Sequence, residues 1–597
     1  MDSRRFLMVL AVTSAVVVFV VLAGKKDAPK GEPVKPAAPA AVVAAKPAGT
    51  QPAAPAVEAA AAPTASQPGR PLWTATGRND QNPADPEIAF IGNLDPASGF
   101  PFELRLNSRD AGIQTVLFSQ YYETVADKKL AAKHAGNHQA YMEAWKKNAA
   151  CGGHYVGLRS ARMGQELFEP YGTRVTQVSL ADGTSIALPG GFDWQLASAP
   201  APAAGEAQTA RWHMAVLRNN QKVLQAVKTY TVRKNDYTLV MTVELTNPSD
   251  QAVTVSLDQF GPTGVRHEDT RADDLKVIHG RLDDNRVQPV TDAPKELENL
   301  TPGQKHYLGT SDEAKAMLWI GYVNKFFGSM VYLVPKNADL AKTSRQAADY
   351  GAKFYLAKLD EGKSPRLLTG MEFPGVKINP GKTETITFEI YAGPKSVDVF
   401  TSDSDTYFRQ RYQDLSYVGT VDLGSCPVSF CVWNWLTLAM MWLLRKLSAV
   451  GNYGIAIILL VIIVRILLHP LSRKSQVSMM KMQKLQPLMA QLKEKYKDDK
   501  DTLQKETMKL YKEHKVNPIG GCLPMLIQIP VMIALYYVLR CAIELRFASF
   551  LWITDLSEPE NLLAGLLPLP LRILPLLMAA TMFWQQRMMP STADPVQ

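Results

Sequence analysis

The sequence predicts a polytopic α-helical membrane domain joined to a large exported all-β domain. Three observations lead there. The ends of the 597-residue chain are strongly apolar and its middle is polar, although the average apolar content of 46% resembles that of a soluble protein. The middle alternates apolar and polar residues with a period of two. Near the C-terminus, apolar stretches long enough to approach membrane length flank a strongly basic segment.

Residues 1–24 read as an uncleaved N-terminal transmembrane anchor. Arg4 and Arg5 precede an uncharged run from Phe6 to Ala23, 18 residues long, at the lower end of what spans a hydrocarbon core. A cleaved signal peptide is the competing reading. It fits less well, because Lys25 and Lys26 come almost at once and Ala-Gly-Lys is a poor cleavage match. On either reading, the segment C-terminal to this run is exported. Residues 25–71 are nearly all Ala, Pro, Val and Lys, a composition that cannot bury a core and that proline keeps extended, so they form a linker.

Residues 72–415 form the exported domain. Alternation predicts strands over Val223–Val232, Tyr237–Leu245, Ala252–Leu257, Met317–Val323 and Thr383–Tyr391, with turns such as Asn247-Pro248-Ser249-Asp250 between them. Two packed antiparallel sheets account for this pattern. Short helices are expected around Gln139–Lys147 and Ser404–Leu415. The domain carries no H-E-x-x-H, G-x-S-x-G, phosphate-binding loop or dinucleotide fingerprint. His134, His138 and His154 lack the spacing of metal ligands and read as solvated loop histidines. The five cysteines (Cys151, Cys426, Cys431, Cys522 and Cys541) form neither a C-x-x-C pair nor a disulfide scaffold, and only Cys426 and Cys431 are close enough in sequence to suggest a pairing. The sequence calls for no metal and no cofactor.

Residues 416–450 form a connecting segment and an interfacial amphipathic helix. Val432–Leu444 is rich in Trp (Trp433, Trp435, Trp442) and ends at Arg445-Lys446, which suits a helix lying in the membrane surface. Residues 451–469 are a transmembrane span, 519–540 a second and 562–586 a third. Between the first two lies a hairpin, residues 470–518. From Leu471 to Gly520 it carries twelve Lys and Arg against six Asp and Glu, a formal +6, which places it in the cytoplasm. The loop 541–561 carries Arg540 and Arg546 at its edge against Glu544, Asp555, Glu558 and Glu560, and lies outside. Residues 587–597 return to the cytoplasm. The net charge of +9 therefore reflects membrane orientation better than nucleic-acid binding. In the hairpin, Met479, Met482, Leu485, Met489 and Leu492 form one apolar stripe. Asp498-Asp499 break and cap the second helix. A zipped hairpin explains the stripe, and so does a methionine-rich face that adapts to varied apolar partners; both readings stand. The lysines are a solvated face or approach anionic lipid or ribosomal RNA.

Arg465 follows ten apolar residues, Ile455–Val464, and so lies about 15 Å into its helix. A charge at that depth faces protein or a water-filled cavity, or it snorkels toward His469-Pro470; sequence physics leaves both readings open. The next span contains Pro524 and Pro530, each lacking a backbone donor, with Gln528 between them, and such backbone is tolerated where it meets protein or a cavity. Arg465 and Gln528 together suggest a polar groove in the bilayer.

The pieces GNYGIAIILLVIIVRILLHPLSRKSQVSMMKMQKLQP, KEKYKDDK, LYKEHKVNPIGGCLPMLIQIPVMIALYYVL and ELRFASFLWITDLS closely resemble the YidC family of membrane protein insertases, in its Gram-negative form. The resemblance implies an insertase and chaperone of the cell inner membrane, not an enzyme, with a periplasmic β-supersandwich. It would work alone or with the Sec translocon (SecYEG and SecDF). Its partners would be nascent integral membrane proteins, the ribosome and membrane lipids. The family's groove arginine maps onto Arg465, and Asp498 matches a position the family uses in its hairpin. The family continues beyond MAATMFWQQRMMPSTADPVQ with two further spans that complete the groove wall, so the chain ending at Gln597 is expected to be incomplete. Leu562–Leu571 is longer than the family's usual connection. A transporter with an exported binding domain is disfavoured by the absence of internal repeats. A carbohydrate-active enzyme is disfavoured by the lack of a recognisable carboxylate pair.

Overall fold

The computed structural model describes residues 73–76, 87–147, 152–188, 190–191, 193–198, 205–268, 275–283, 286–291, 300–308, 317–336, 350–360, 366–401, 407–421, 434–497, 499–514, 518–560 and 572–588. All of them belong to one compact unit, Trp73–Gln597. The expected anchor, the linker, Asp498, Cys426, Cys431 and Leu562–Leu571 lie outside the described residues.

The β-domain is built on a ten-stranded sheet whose centre runs through Ala207–Arg218, Gln221–Arg233, Thr238–Thr246, Thr383–Pro394, Phe327–Val334 and Met317–Val323. A six-stranded sheet centred on Leu367–Ile378 and Val253–Phe260, a four-stranded sheet from Ile88–Gly92 to His154–Arg159 and a two-stranded hairpin of Ala161–Met163 with Glu166–Phe168 accompany it. The main core lies between the sheets, joining Trp212, Tyr230 and Ile386 from the first, Val255 and Phe373 from the second, and Leu104 and Val116 from the third. All five strands expected from alternation are present, within a few residues of the expected ends. Gln221–Arg233 shows why: every second residue from Leu224 to Val232 is buried, and the residues between them are half-buried. Met317–Val323, in contrast, is buried throughout. Ile320 and Tyr322 face the core, whereas Leu318, Trp319 and Val323 are covered on the other side by Val397, Phe400, Tyr412 and Tyr417. A strand covered on both faces reads as a continuous apolar run.

We number the helices α1 (Val125–Lys133), α2 (His138–Lys146), α3 (Val397–Thr401), α4 (Tyr407–Asp414), α5 (Asn434–Leu447), α6 (Tyr453–Lys495), α7 (Lys500–Glu513), α8 (Pro518–Cys541) and α9 (Ile573–Met588). α1 starts in a capping box between Thr124 and Asp127. The Trp319 indole donates to the Leu415 carbonyl at 3.0 Å, which seats the segment after α4 on the large sheet.

The boundary drawn between the segment 451–469 and the hairpin from residue 470 is not a helix end. α6 runs unbroken for 43 residues through Pro470 and Pro487, so the span and the first hairpin helix are one rod. Each proline removes one helical hydrogen bond and crowds the preceding turn, yet strong helix formers on both sides carry the helix across. Asp499 caps α7 as expected, its carboxylate accepting from the Thr502 amide at 3.0 Å. Among the described residues, Tyr453–Pro470 is the one helical segment long and apolar enough to cross a membrane.

Candidate functional site on the helical domain

α6 begins with the Asn452 side chain accepting from the Gly454 and Ile455 amides. Asn452 Nδ2 also donates to the Ser549 carbonyl, in the chain that has just left α8. The start of α6 therefore lies beside the end of α8, and the two helices run antiparallel. Between them and α5, Ala456, Leu460, Ala534, Val538, Cys541, Met440, Met441 and Leu444 form one buried cluster. Ala456 and Ala534 keep that interface thin, as small residues do where helices approach closely.

Arg465 lies 11 residues, about 16 Å, along α6 from Gly454. Gln528 lies 13 residues, about 20 Å, back along α8 from Cys541. The two side chains therefore sit within about one turn of the same level on an antiparallel pair. Both residues are exposed, and Pro530 is buried in the same stretch. Exposed apolar residues neighbour Arg465 in α6 (Ile462, Ile466 and Leu467), and α8 exposes Ile529 and Met532 near Gln528 in sequence. Arg465 is the sole charged residue other than His469 in the membrane-length segment Tyr453–Pro470. A guanidinium in such surroundings draws water, carboxylates and polar backbone toward it.

Pro524 and Met479 occupy helical backbone in α8 and α6. Met482 and Met489 are half-buried and flank the buried Leu485, while Val477, Met480 and Leu488 are exposed. Leu488, Leu492 and Lys495 of α6 and Glu506 and Leu510 of α7 line a cleft between the hairpin helices. The methionines do not meet Arg465, which belongs to the other half of α6. On α9, Leu574, Leu577, Met578, Phe583 and Trp584 are all exposed.

The histidines depart from expectation. His154 is buried in a strand, its Nδ1 2.9 Å from the Phe118 carbonyl, packed against Tyr122, Tyr141 and His138. Burial pushes its pKa down to about 4. It is a core histidine, and the alternation around it was masked by Gly152-Gly153 and Gly157. Among the described residues, no group of three or more His, Cys, Asp or Glu is placed to hold a metal. Sequence reasoning also missed Arg546. It is buried, ion-paired at 2.9 Å to Glu268, and donates at 2.9 Å to the Tyr122 carbonyl. Its partners are hundreds of residues away, so nothing in ELRFASF announces them.

A large β-domain tied to a helix long and apolar enough to cross a membrane fits a membrane protein. Two family models divide the chain between them: "YidC periplasmic domain" over residues 155–443 and "60Kd inner membrane protein" over 445–597. The chain belongs to the YidC family. It is 39% identical over 290 residues to the membrane protein insertase YidC of Pelobacter propionicus, covering 47% of each chain. It is 26% identical over 525 residues to that of Geotalea daltonii, covering 86% of this chain and 83% of the relative. The chain spans about half the length of several of the curated relatives it matches. A crystal structure titled as an active YidC insertase with its first transmembrane domain resolved covers 83% of this chain and 81% of its own at 17% identity, with a TM-score of 0.27.

Proposed function

We propose that this protein is a membrane protein insertase and chaperone of the inner membrane. It crosses the bilayer at residues 1–24, 451–469, 519–540 and 562–586, with the β-domain in the periplasm and the α6–α7 hairpin in the cytoplasm. Its clients are nascent integral membrane proteins, delivered by the ribosome directly or alongside the Sec translocon. Arg465 and Gln528 line a hydrophilic groove, and Pro524 and Pro530 shape its α8 wall. The work is electrostatic. A polar or acidic segment of a client is drawn partway into the bilayer toward Arg465, which shortens the apolar barrier it must cross. The hairpin, with Met479, Met482, Met489 and Asp498, offers an adaptable apolar face to the client before it enters.

The observation that carries this reading is the placement of Arg465 and Gln528, both exposed and at one level of the α6–α8 pair. Photo-crosslinkers at 465 and 528 during translation of a small membrane protein test it. Capture of the nascent chain at both positions is expected. Absence of capture at both, with solute flux through the protein in liposomes, would make it a transporter instead.

A further inference from the structure

The loop that leaves α8 does not hang free of the β-domain. Ile543 belongs to the β-domain's own hydrophobic core. Three residues on, Arg546 enters a pocket made by Tyr155, Phe327 and Glu268. Its guanidinium carbon lies 4.8 Å from the Tyr155 ring centre and 5.5 Å from that of Phe327, and Phe547 covers it at 4.2 Å. The pocket residues of the β-domain also hold one another. Tyr155 and Phe327 stack at 4.2 Å. Asn324 donates to the Tyr155 hydroxyl and to the Arg266 carbonyl, and accepts from the Phe326 and Phe327 amides. Two lysines of the β-domain reach the loop backbone: Lys128 to the Phe547 carbonyl and Lys325 to the Ser557 carbonyl. Within the loop, the Asp555 carboxylate accepts from the Phe547 and Ser557 amides, closing it into a unit.

The loop's other side holds helices. Asn452, the cap of α6, donates to the Ser549 carbonyl at 3.2 Å. Phe550 lies so close to Gly454 that a Cβ there would meet its Cγ at 2.2 Å. Glu560 accepts from the Leu574 amide at the start of α9 and from the Trp552 indole at 2.7 Å.

We propose that residues 543–560 are a bracket that fastens the ends of α6, α8 and α9 to the β-domain, with Arg546 as its pin. Arg546 is thus a positioning residue. Planar stacking on two rings combined with a carboxylate pair suits arginine and not lysine. A lysine keeps the charge and loses the stack. The bracket stands independently of the insertase reading, because its test reads backbone protection and not client insertion.

Hydrogen exchange of the full chain in nanodiscs tests it, with the melting of the β-domain followed in parallel. In Arg546→Ala, exchange is expected to rise about tenfold or more both at 543–558 and at the first turn of α6, with the β-domain melting unchanged. Arg546→Lys is expected to fall between this and the parent. Gly454→Ala pushes Phe550 away from α6. It is expected to loosen the first turn of α6 and residues 549–553, while 543–547 stay protected by the pocket. Loosening confined to 543–548 in Arg546→Ala, with the α6 start unaffected, would overturn the bracket. If Arg546→Ala does not fold, Arg546→Lys is judged by the same criterion. Unchanged α6 exchange in Gly454→Ala would also overturn it.

Discussion

The β-domain and the helical domain handle charge in opposite ways. In the β-domain, one cluster of charged groups is buried and bonded. Lys228 is fully buried, donating to the Tyr171 carbonyl at 2.5 Å, near Asp110, whose carboxylate pairs with Arg174 at 3.0 Å. Asp110, Ala111 and Tyr171 all adopt left-handed backbone, and Lys228 and Tyr230 donate to the carbonyls of these turns. In the helical domain, Arg465 is exposed, and so are the apolar Ile466 and Leu467 that follow it. The first arrangement suits a domain that must exclude water on its own. The second suits a surface completed by lipid and clients. The Lys228 cluster therefore serves the fold, as Arg546 does in the loop after α8, whereas Arg465 is left at the surface.

Breaking the β-domain network has the largest expected effect on stability. Lys228→Ala takes one of three donors from the Tyr171 carbonyl, which keeps Gln259 and Tyr230, and leaves Asp110 with one cation fewer, and should cost about 3–5 kcal/mol. Unfolding of the full chain in detergent, followed by tryptophan fluorescence, measures it. In the helical domain the corresponding break is steric. Ala534→Leu overpacks the α6–α8 interface and should cost about 1–3 kcal/mol, read as lost crosslinking between cysteines placed on the two helices.

pH sharpens the contrast, because the β-domain buries two groups that titrate in an accessible range. Burial raises the Glu169 carboxyl from 4.5 to about 7, against its hydrogen bond from Ser160. The folded state thus binds more protons than the unfolded one between those values, and stability falls as pH rises from 4.5 to 7. His154 acts oppositely. Its pKa is lowered from 6.5 to about 4, so stability falls as pH drops through that window. Glu169→Gln should flatten the first slope and His154→Gln the second, each by roughly 3 kcal/mol across its window, measured as melting temperature against pH. The smallest effect expected on stability is that of Arg465→Leu, within about 0.5 kcal/mol, since Arg465 is exposed.

The strands were legible where one face is buried, as in Gln221–Arg233, because alternation survives there. Met317–Val323 was read from alternation too, although the structure buries it throughout. The depth of Arg465 followed from counting, and the family pattern supplied the role that physics left divided. What was not legible depends on distant contacts. The boundary at residue 470 rested on the change from apolar to basic sequence, and that local pattern cannot see the one long helix running through Pro470. Arg546 looked like one more loop charge because Glu268, Tyr155 and Phe327 come to it from far along the chain. His154 looked solvated for the same reason.

The central claim is that Arg465 serves clients and not the fold. Insertion of a client whose translocated segment carries acidic residues should be compared with that of the same client with those residues neutralised, in parent, Arg465→Lys and Arg465→Leu chains. Arg465→Leu should lower insertion of the acidic client several-fold, Arg465→Lys should retain most of it, and the neutral client should change least. Equal loss for both clients, accompanied by a lowered melting temperature in Arg465→Leu, would contradict the account and make Arg465 a structural residue.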